Sequence, residues 1–253
     1  MKRLGLLFDS TMCIGCGACV AACKETNNLP GDPDPRLTAY TWTVLENRGD
    51  TFMRRLCMHC ESPTCVSVCP VGAFTKTPAG PVTYDGSKCI GCRYCIMACP
   101  FDVPKYQWDR TAPLVQKCTM CAARVAAGKP TACAEACPTG ATAFGAREDF
   151  LKEARGRLAA EPAKYVPRIF GESEVGGTDV LMLSGKPFEQ FGIKAVDRRE
   201  ALPLLTWRVL SRIPDFTVVW GTLLFGIFWI TNRRAYVQEQ IAREAEAAKQ
   251  PEE

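Results

Sequence analysis

The alternation of apolar and polar positions predicts several short strands in the first part of the chain. Leu4–Phe8 is an apolar run typical of a strand. Tyr40–Glu46 alternates like a half-buried strand, and Thr51–Leu56 is its expected hairpin partner. Within Ala73–Asp85, two β-prone runs flank a Pro-Ala-Gly turn, which predicts a second hairpin. Ala141–Phe144 resembles one strand of that hairpin, so part of the pattern repeats.

Helical periodicity dominates the rest of the chain. Asp149–Ala160 predicts a solvated helix with one apolar face, and Leu202–Ile213 predicts an amphipathic helix on a membrane surface or a partner. Phe216–Asn232 has 17 residues without a charge. As a helix it would measure about 25 Å, near the lower limit for crossing a bilayer. A buried core helix is the alternative, but this helix would be apolar on every face. We therefore expect a membrane span.

Composition and charge change this interpretation little. The chain has 253 residues, enough for one large domain or two small ones, and a formal net charge of +4. No run of Lys or Arg suggests a nucleic-acid surface. The N-terminus lacks the pattern of a signal peptide, so we expect any export to depend on a partner. Basic residues are balanced on the two sides of the expected span, so they do not predict its orientation.

Cysteine is the exceptional residue, with 16 in the chain, arranged in four groups of four. Group one is Cys13, Cys16, Cys19 and Cys23, group two is Cys57, Cys60, Cys65 and Cys69, group three is Cys89, Cys92, Cys95 and Cys99, and group four is Cys118, Cys121, Cys133 and Cys137. Group three, with Pro100, has the spacing C-x2-C-x2-C-x3-C-P that holds cubane iron–sulfur clusters. Group one departs from it, since Lys24 replaces the proline.

Three kinds of cysteine chemistry compete for these groups. Disulfides suit small secreted domains, but a repeated Cys-x2-Cys is a poor disulfide pattern and a good metal-site pattern. Structural zinc would use four thiolates for each ion, yet zinc ribbons lack the x3-Cys-Pro ending. The spacing favours cubane clusters. Sixteen thiolates provide for four [4Fe-4S] clusters, one of which could be [3Fe-4S].

His59, between Cys57 and Cys60, is the single histidine of the chain. Direct ligation of a cluster is one possibility. Because group two already has four thiols, we expect instead that His59 supports the cluster by hydrogen bonding to a sulfide or a backbone carbonyl.

Four stretches carry a family resemblance: Cys57–Cys60 with the following Pro63, Cys65 and Cys69-Pro70; Cys89–Pro100; Gly171–Thr178 near Leu181–Ser184; and the terminal apolar helix. Through them the chain resembles the four-cluster iron–sulfur subunits of respiratory oxidoreductases. It is most similar to the membrane-anchored β subunits of formate dehydrogenases and of membrane-bound nickel–iron hydrogenases.

The resemblance implies an α+β fold of two nested ferredoxin-like two-cluster units plus one C-terminal transmembrane helix. The expected boundaries are 1–160 for the cluster domain (groups one and four outer, two and three inner), 161–201 for an extended segment on the domain or a partner, 202–213 for the interfacial helix, 214–234 for the transmembrane helix and 235–253 for a charged tail. Paired groups would exchange their last cysteines. The implied ligand sets are Cys13, Cys16, Cys19 and Cys137; Cys118, Cys121, Cys133 and Cys23; Cys57, Cys60, Cys65 and Cys99; and Cys89, Cys92, Cys95 and Cys69.

The resemblance also implies partners and a location. A catalytic subunit of molybdopterin, tungstopterin or nickel–iron type would contact the outer pair, and a quinone-reactive integral membrane subunit would contact the inner pair. Relatives lie on the periplasmic side, exported with a signal-bearing partner, although a cytoplasmic-facing complex is an alternative. We expect a non-catalytic electron-transfer subunit. An iron–sulfur enzyme in its own right and a zinc-stapled scaffold are the other hypotheses.

Overall fold

The computed structural model describes residues 2–193 and 199–247. The strands are β1 (Leu4–Asp9), β2 (Val44–Arg48), β3 (Thr51–Arg55), β4 (Phe74–Lys76), β5 (Val82–Tyr84), β6 (Lys105–Tyr106), β7 (Val115–Gln116), β8 (Thr142–Ala146) and β9 (Val180–Leu183). The helices are α1 (Ala18–Thr26), α2 (Thr64–Ser67), α3 (Tyr94–Ala98), α4 (Ala122–Ala126), α5 (Ala132–Glu135), α6 (Arg147–Ala160), α7 (Leu202–Leu210) and α8 (Ile213–Ala247). This is the mixed α and β content that the sequence predicts.

Strand β1 is the centre of a three-stranded sheet, with β8 antiparallel on one side and β9 parallel on the other. Its side chains alternate between two cores, as the period of a strand requires. Leu6 and Phe8 face a core shared with cysteines of groups one, two and four, whereas Leu7 faces a core formed with α6. The sheet therefore separates the cysteine-rich side of the domain from its covering helix.

The two predicted hairpins are present, with one change of boundary. β4 pairs with β5, and β2 pairs with β3. The strand expected over Tyr40–Glu46 begins only at Val44, because the preceding chain turns: the Thr38 amide donates to the Thr41 carbonyl, and the indole of Trp42 donates to the Ala39 carbonyl. β8 pairs with β1 rather than forming a hairpin of its own.

Residues 161–201 enter the core more deeply than an extended segment lying on the domain would. β9 is buried at all of its four positions and pairs in parallel with β1, with Leu6 opposite Val180. An unbroken run of apolar residues is typical of a strand buried on both faces. Asp179 precedes it and is fully buried, paired with Arg3 and Lys76. Residues 194–198 of this segment lie outside the described residues.

The C-terminal residues from Leu204 form a separate unit. α8 has 35 residues, and its apolar side chains, such as Leu223, Phe225 and Ile227, are exposed. By length and composition alone it could cross a membrane. The helix continues into the charged tail to Ala247, where Glu239 pairs with Arg243 at 2.7 Å. Residues 248–253, the end of the expected charged tail, lie outside the described residues.

Candidate metal centre

Short helices and loops carry the cysteines, and their packing joins the groups in pairs. α1, from group one, packs against α5, from group four. α2, from group two, packs against α3, from group three. Each of these four helices presents at least one cysteine, so the helix pairs bring cysteines from distant parts of the chain together.

The thiols form four sets, each with three cysteines of one group and the last cysteine of the paired group. We name them site A (Cys13, Cys16, Cys19, Cys137), site B (Cys23, Cys118, Cys121, Cys133), site C (Cys57, Cys60, Cys65, Cys99) and site D (Cys69, Cys89, Cys92, Cys95). The exchange of ligands that the resemblance implies stays a prediction, and these four sets are the ones it would use.

Sites B and C each surround a cavity. The four thiols of site B line one cavity, together with Leu6 and Arg54. The thiols of Cys57, Cys60, Cys65 and Cys99 line a second cavity, with Pro63 and Lys117 among its walls. Four thiols that converge on an enclosed space form a donor set of the kind that a cluster requires.

At sites A and D, too, thiols of one group interact with the last cysteine of the paired group. Burial, together with the nearby thiols of Cys89, Cys92 and Cys69, raises the pKa of Cys95 to about 11. Burial also raises the pKa of Cys13, with contributions from Cys137 and Cys16. Buried thiols in such sets are protonated until a metal displaces the proton, so assembly of these sites releases protons.

Thiols of different sites lie close enough to affect one another. The Cys133 thiol of site B raises the pKa of Cys19 of site A, and the Cys57 thiol of site C raises that of Cys118 of site B. The Cys95 thiol of site D raises the pKa of Cys65 of site C. These pairs link A to B, B to C and C to D.

The two ends of this series reach the surface through the same short sequence. Cys16 of site A and Cys92 of site D are exposed. Each is the second cysteine of a Cys-Ile-Gly-Cys loop, and the isoleucines of those loops, Ile14 and Ile90, are exposed as well. Sites A and D thus present similar apolar loops to solvent.

His59 is fully buried, and its hydrogen bond differs from the expected one. Nδ1 accepts a hydrogen bond from the Val82 amide at 2.9 Å. This nitrogen is therefore an acceptor and does not donate to a backbone carbonyl. Burial lowers the pKa of His59 well below its usual value, assisted by Lys117 and Lys76, and the ring is neutral. Its proton then lies on Nε2, which is buried and has no partner among the described residues. A hydrogen bond from Nε2 to a cluster sulfide stays a prediction.

Lys24 explains why group one departs from the Cys-Pro ending. α1 continues past Cys23 to Thr26, and the largely buried Lys24 donates from Nζ to the carbonyls of Pro30 at 3.0 Å and Tyr40 at 2.8 Å. This side chain fastens the proline-rich loop that follows. The sequence signals only the missing proline and not the contact, because the two carbonyls lie in a loop without a regular pattern.

Known proteins share the cysteine framework. Residues 12–73 and 50–147 each match the profile of a 4Fe-4S dicluster domain. A protein of Nitratidesulfovibrio vulgaris is 42% identical over 97% of this chain and 71% of its own length. The hydrogenase-2 operon protein HybA of Escherichia coli O157:H7 is 37% identical, over 77% of this chain and 74% of that relative. The iron–sulfur subunit of the nitrate-inducible formate dehydrogenase of Escherichia coli K12 is also 37% identical, over 69% and 66%.

The chain belongs to the family of 4Fe-4S electron-transfer subunits of respiratory oxidoreductases. In this family the 16 cysteines and the two dicluster domains correspond to four [4Fe-4S] clusters.

Backbone amides point at several of the sulfurs in this iron–sulfur subunit. The Ala73 amide donates to Cys69 Sγ at 3.2 Å, and the Thr142 amide donates to Cys137 Sγ at 3.4 Å. The two amides follow the last cysteine of groups two and four by four and five residues. Although burial opposes the effect, such amides lower the pKa of both thiols. Donors to the sulfurs also favour the reduced cluster and so raise its potential.

Two glycines in the first cysteine loop lead to a prediction. Both have left-handed backbones, with φ of 73° at Gly15 and 74° at Gly17. A Cβ at Gly15 would collide with the Phe52 ring, whereas a Cβ at Gly17 would meet open space. We expect Gly15→Ala to lower the iron content by distorting site A. Gly17→Ala should cost only the backbone strain of about 1–2 kcal/mol and keep its iron. Equal iron loss in the two variants would contradict this explanation.

Proposed function

We propose that this chain conducts electrons along sites A, B, C and D, between a catalytic oxidoreductase subunit at site A and a quinone-linked membrane subunit at site D. The observation that carries the proposal is the chain of contacts that links site A to B, B to C and C to D. Of the sixteen cysteines, only Cys16 of site A and Cys92 of site D, at the two ends, are exposed. A series with accessible ends and a buried middle suits transfer through the subunit.

The thiol sets favour electron transfer over catalysis by the chain itself. Each cluster, when bound, takes up and releases one electron. All four sites offer four thiols, so every iron of a cubane would have a protein ligand and no position would remain for a substrate. Burial of Cys95, Cys118 and Cys133 keeps water from the sulfurs. The role of the chain is then to hold, separate and tune the clusters.

The four sites also support the nested arrangement of two ferredoxin-like units. Sites A and B take all their cysteines from groups one and four, whereas sites C and D take theirs from groups two and three. The packing of α1 on α5 and of α2 on α3 agrees with this division. In this proposal the 16 cysteines are all ligands, and the inner unit is inserted into the outer one.

The relatives indicate the kind of complex. Among them are a protein of a hydrogenase-2 operon and the iron–sulfur subunits of formate dehydrogenases. A catalytic partner of nickel–iron or of molybdopterin or tungstopterin type therefore fits site A. We propose that α8 anchors the chain in the membrane, and that the cluster domain lies on the periplasmic side after export with a signal-bearing partner. The apolar, exposed surface of α8 supports the anchor.

The matched loops at sites A and D provide the experiment. Ile14→Lys should weaken retention of the catalytic subunit, because a charge would be buried at that interface. Ile90→Lys should instead uncouple the membrane subunit. With hydrogen or formate as donor, we expect the Ile90→Lys complex to reduce benzyl viologen normally but to lose most of its reduction of menadione.

Iron content is the control for both variants, since each side chain is exposed and outside the thiol sets. Both should keep wild-type iron. An Ile90→Lys complex that reduces menadione at the wild-type rate, together with an Ile14→Lys chain that retains its catalytic subunit, would contradict the assignment of the two ends.

A further inference from the structure

Arg54, on β3, is a buried charge beside the first two cluster sites. Only 1% of the residue is exposed, although arginine is a residue that is rarely buried without a partner. Its side chain lines the site B cavity with Cys23 and Cys133. The same guanidinium donates to the Thr142 hydroxyl, and the Thr142 amide donates to Cys137 Sγ of site A. One cation therefore adjoins two sites.

The hydrogen bonds of Arg54 leave its charge uncompensated by protein. Nε donates to the Thr43 hydroxyl at 2.9 Å, and Nη1 donates to the Thr142 hydroxyl at 3.3 Å. Nη2 is buried and has no acceptor in the described parts of the chain. Arginine stays protonated in proteins. These hydroxyls are neutral, and one sulfur partner is Cys133, whose pKa Arg54 lowers against the effect of burial. A buried charge without an anion is costly, so the fold favours an anion at this site.

Two cluster anions would meet that requirement. A [4Fe-4S] cluster on four thiolates carries a negative charge, and reduction adds another. A fixed cation nearby stabilises the reduced form more than the oxidised form, which raises the reduction potential. Arg54 is placed to do this at sites A and B together.

We propose that Arg54 is the shared counter-cation of sites A and B, and that its charge sets the reduction potentials of both clusters. Arg54 acts as a positioning and tuning residue, because it is not a ligand. The inference rests on the proposed electron-transfer function but not on which partner meets which end, since potentials are measured without turnover.

Arg55 is a matched control. It is the next residue on β3, and its guanidinium pairs with Glu46 at 3.0 Å. Arg55→Met therefore removes a charge from the same strand as Arg54, but one that Glu46 on β2 compensates. The test compares Arg54→Met, Arg54→Lys and Arg55→Met in the full chain, by iron analysis and by potentiometric titration followed by EPR.

We expect Arg54→Met to make two of the four clusters at least tenfold harder to reduce, a lowering of about 59 mV or more for a one-electron couple. The other two clusters should shift less. Arg54→Lys should recover most of the difference, and Arg55→Met should match the wild type.

Unchanged potentials in a fully loaded Arg54→Met chain would overturn the proposal, and so would an equal shift of all four clusters. If Arg54→Met fails to hold clusters, Arg54→Lys decides the question. Recovery of four clusters by lysine supports the requirement for a charge, whereas failure with lysine as well means that shape or hydrogen bonding is needed instead, and the proposal is wrong.

Discussion

Replacing Cys99 with alanine is expected to abolish the cluster at site C, although Cys99 belongs to the sequence motif of site D. The Cys99 thiol lines one cavity with Cys57, Cys60 and Cys65. Burial raises the pKa of Cys99, and the Cys57 thiol adds to this effect. The first three cysteines of the Cys99 motif lie instead with Cys69. Loss of a thiolate ligand leaves one iron of the cluster exposed, so the cluster converts or is lost.

Pairs of variants identify which cluster has been damaged. Cys99→Ala and Cys57→Ala should remove the same EPR signal from the reduced full chain. Cys69→Ala and Cys89→Ala should each remove a second EPR signal, which is the same in both variants. If the Cys99→Ala spectrum instead matches that of Cys89→Ala, each motif forms its own cluster and the exchange is wrong.

Replacing Asp179 with asparagine is expected to give the largest loss of stability from a residue outside the thiol sets. Asp179 is fully buried and pairs with Arg3, with Lys76 and, at 3.8 Å, with Arg147. These cations come from the chain start, β4 and α6, so one carboxylate joins three distant segments. Asparagine keeps the shape but removes the charge that the three cations share, and within residues 2–193 and 199–247 only Arg3 keeps a second paired anion, Glu61, at 2.7 Å. Removing one partner of a buried ion pair costs about 3–5 kcal/mol.

The urea midpoint for loss of cluster absorbance measures this effect. Asp50→Asn is the control, because Asp50 pairs with Lys186 at 2.6 Å on the exposed surface and should have no measurable influence. We expect a clearly lower midpoint for Asp179→Asn alone. Equal midpoints for the two variants would mean that the buried charge cluster contributes nothing.

The sequence predicts the parts of the site that depend on local spacing. The Cys-x2-Cys pattern identifies the thiols, a short apolar run predicts β1, and β-prone runs around a Pro-Ala-Gly turn predict β4 and β5, because all of these signals lie within a few residues. The sequence analysis predicts neither β9 nor its pairing with β1, because the two strands are far apart in the chain and no local rule sets their register.

Arg54 and Lys24 illustrate what sequence alone misses. Arg54 occupies an ordinary position in an alternating strand, where an arginine usually points to solvent. Its burial depends on Thr43 and Thr142, and Thr142 belongs to a distant strand. Lys24 likewise depends on a loop folded back across α1. The order of the four sites is also a property of tertiary packing, since it follows from contacts between cysteines of different groups.

The central claim is that this chain holds four one-electron centres. A reductive titration of the anaerobically purified full chain, with iron analysis and EPR spin counting, tests it most directly. The account predicts about sixteen irons per chain and uptake of about four electrons, which an artificial oxidant such as ferricyanide should withdraw again. A colourless zinc-loaded protein, or a chain with four clusters' worth of iron that takes up no electrons, would contradict it.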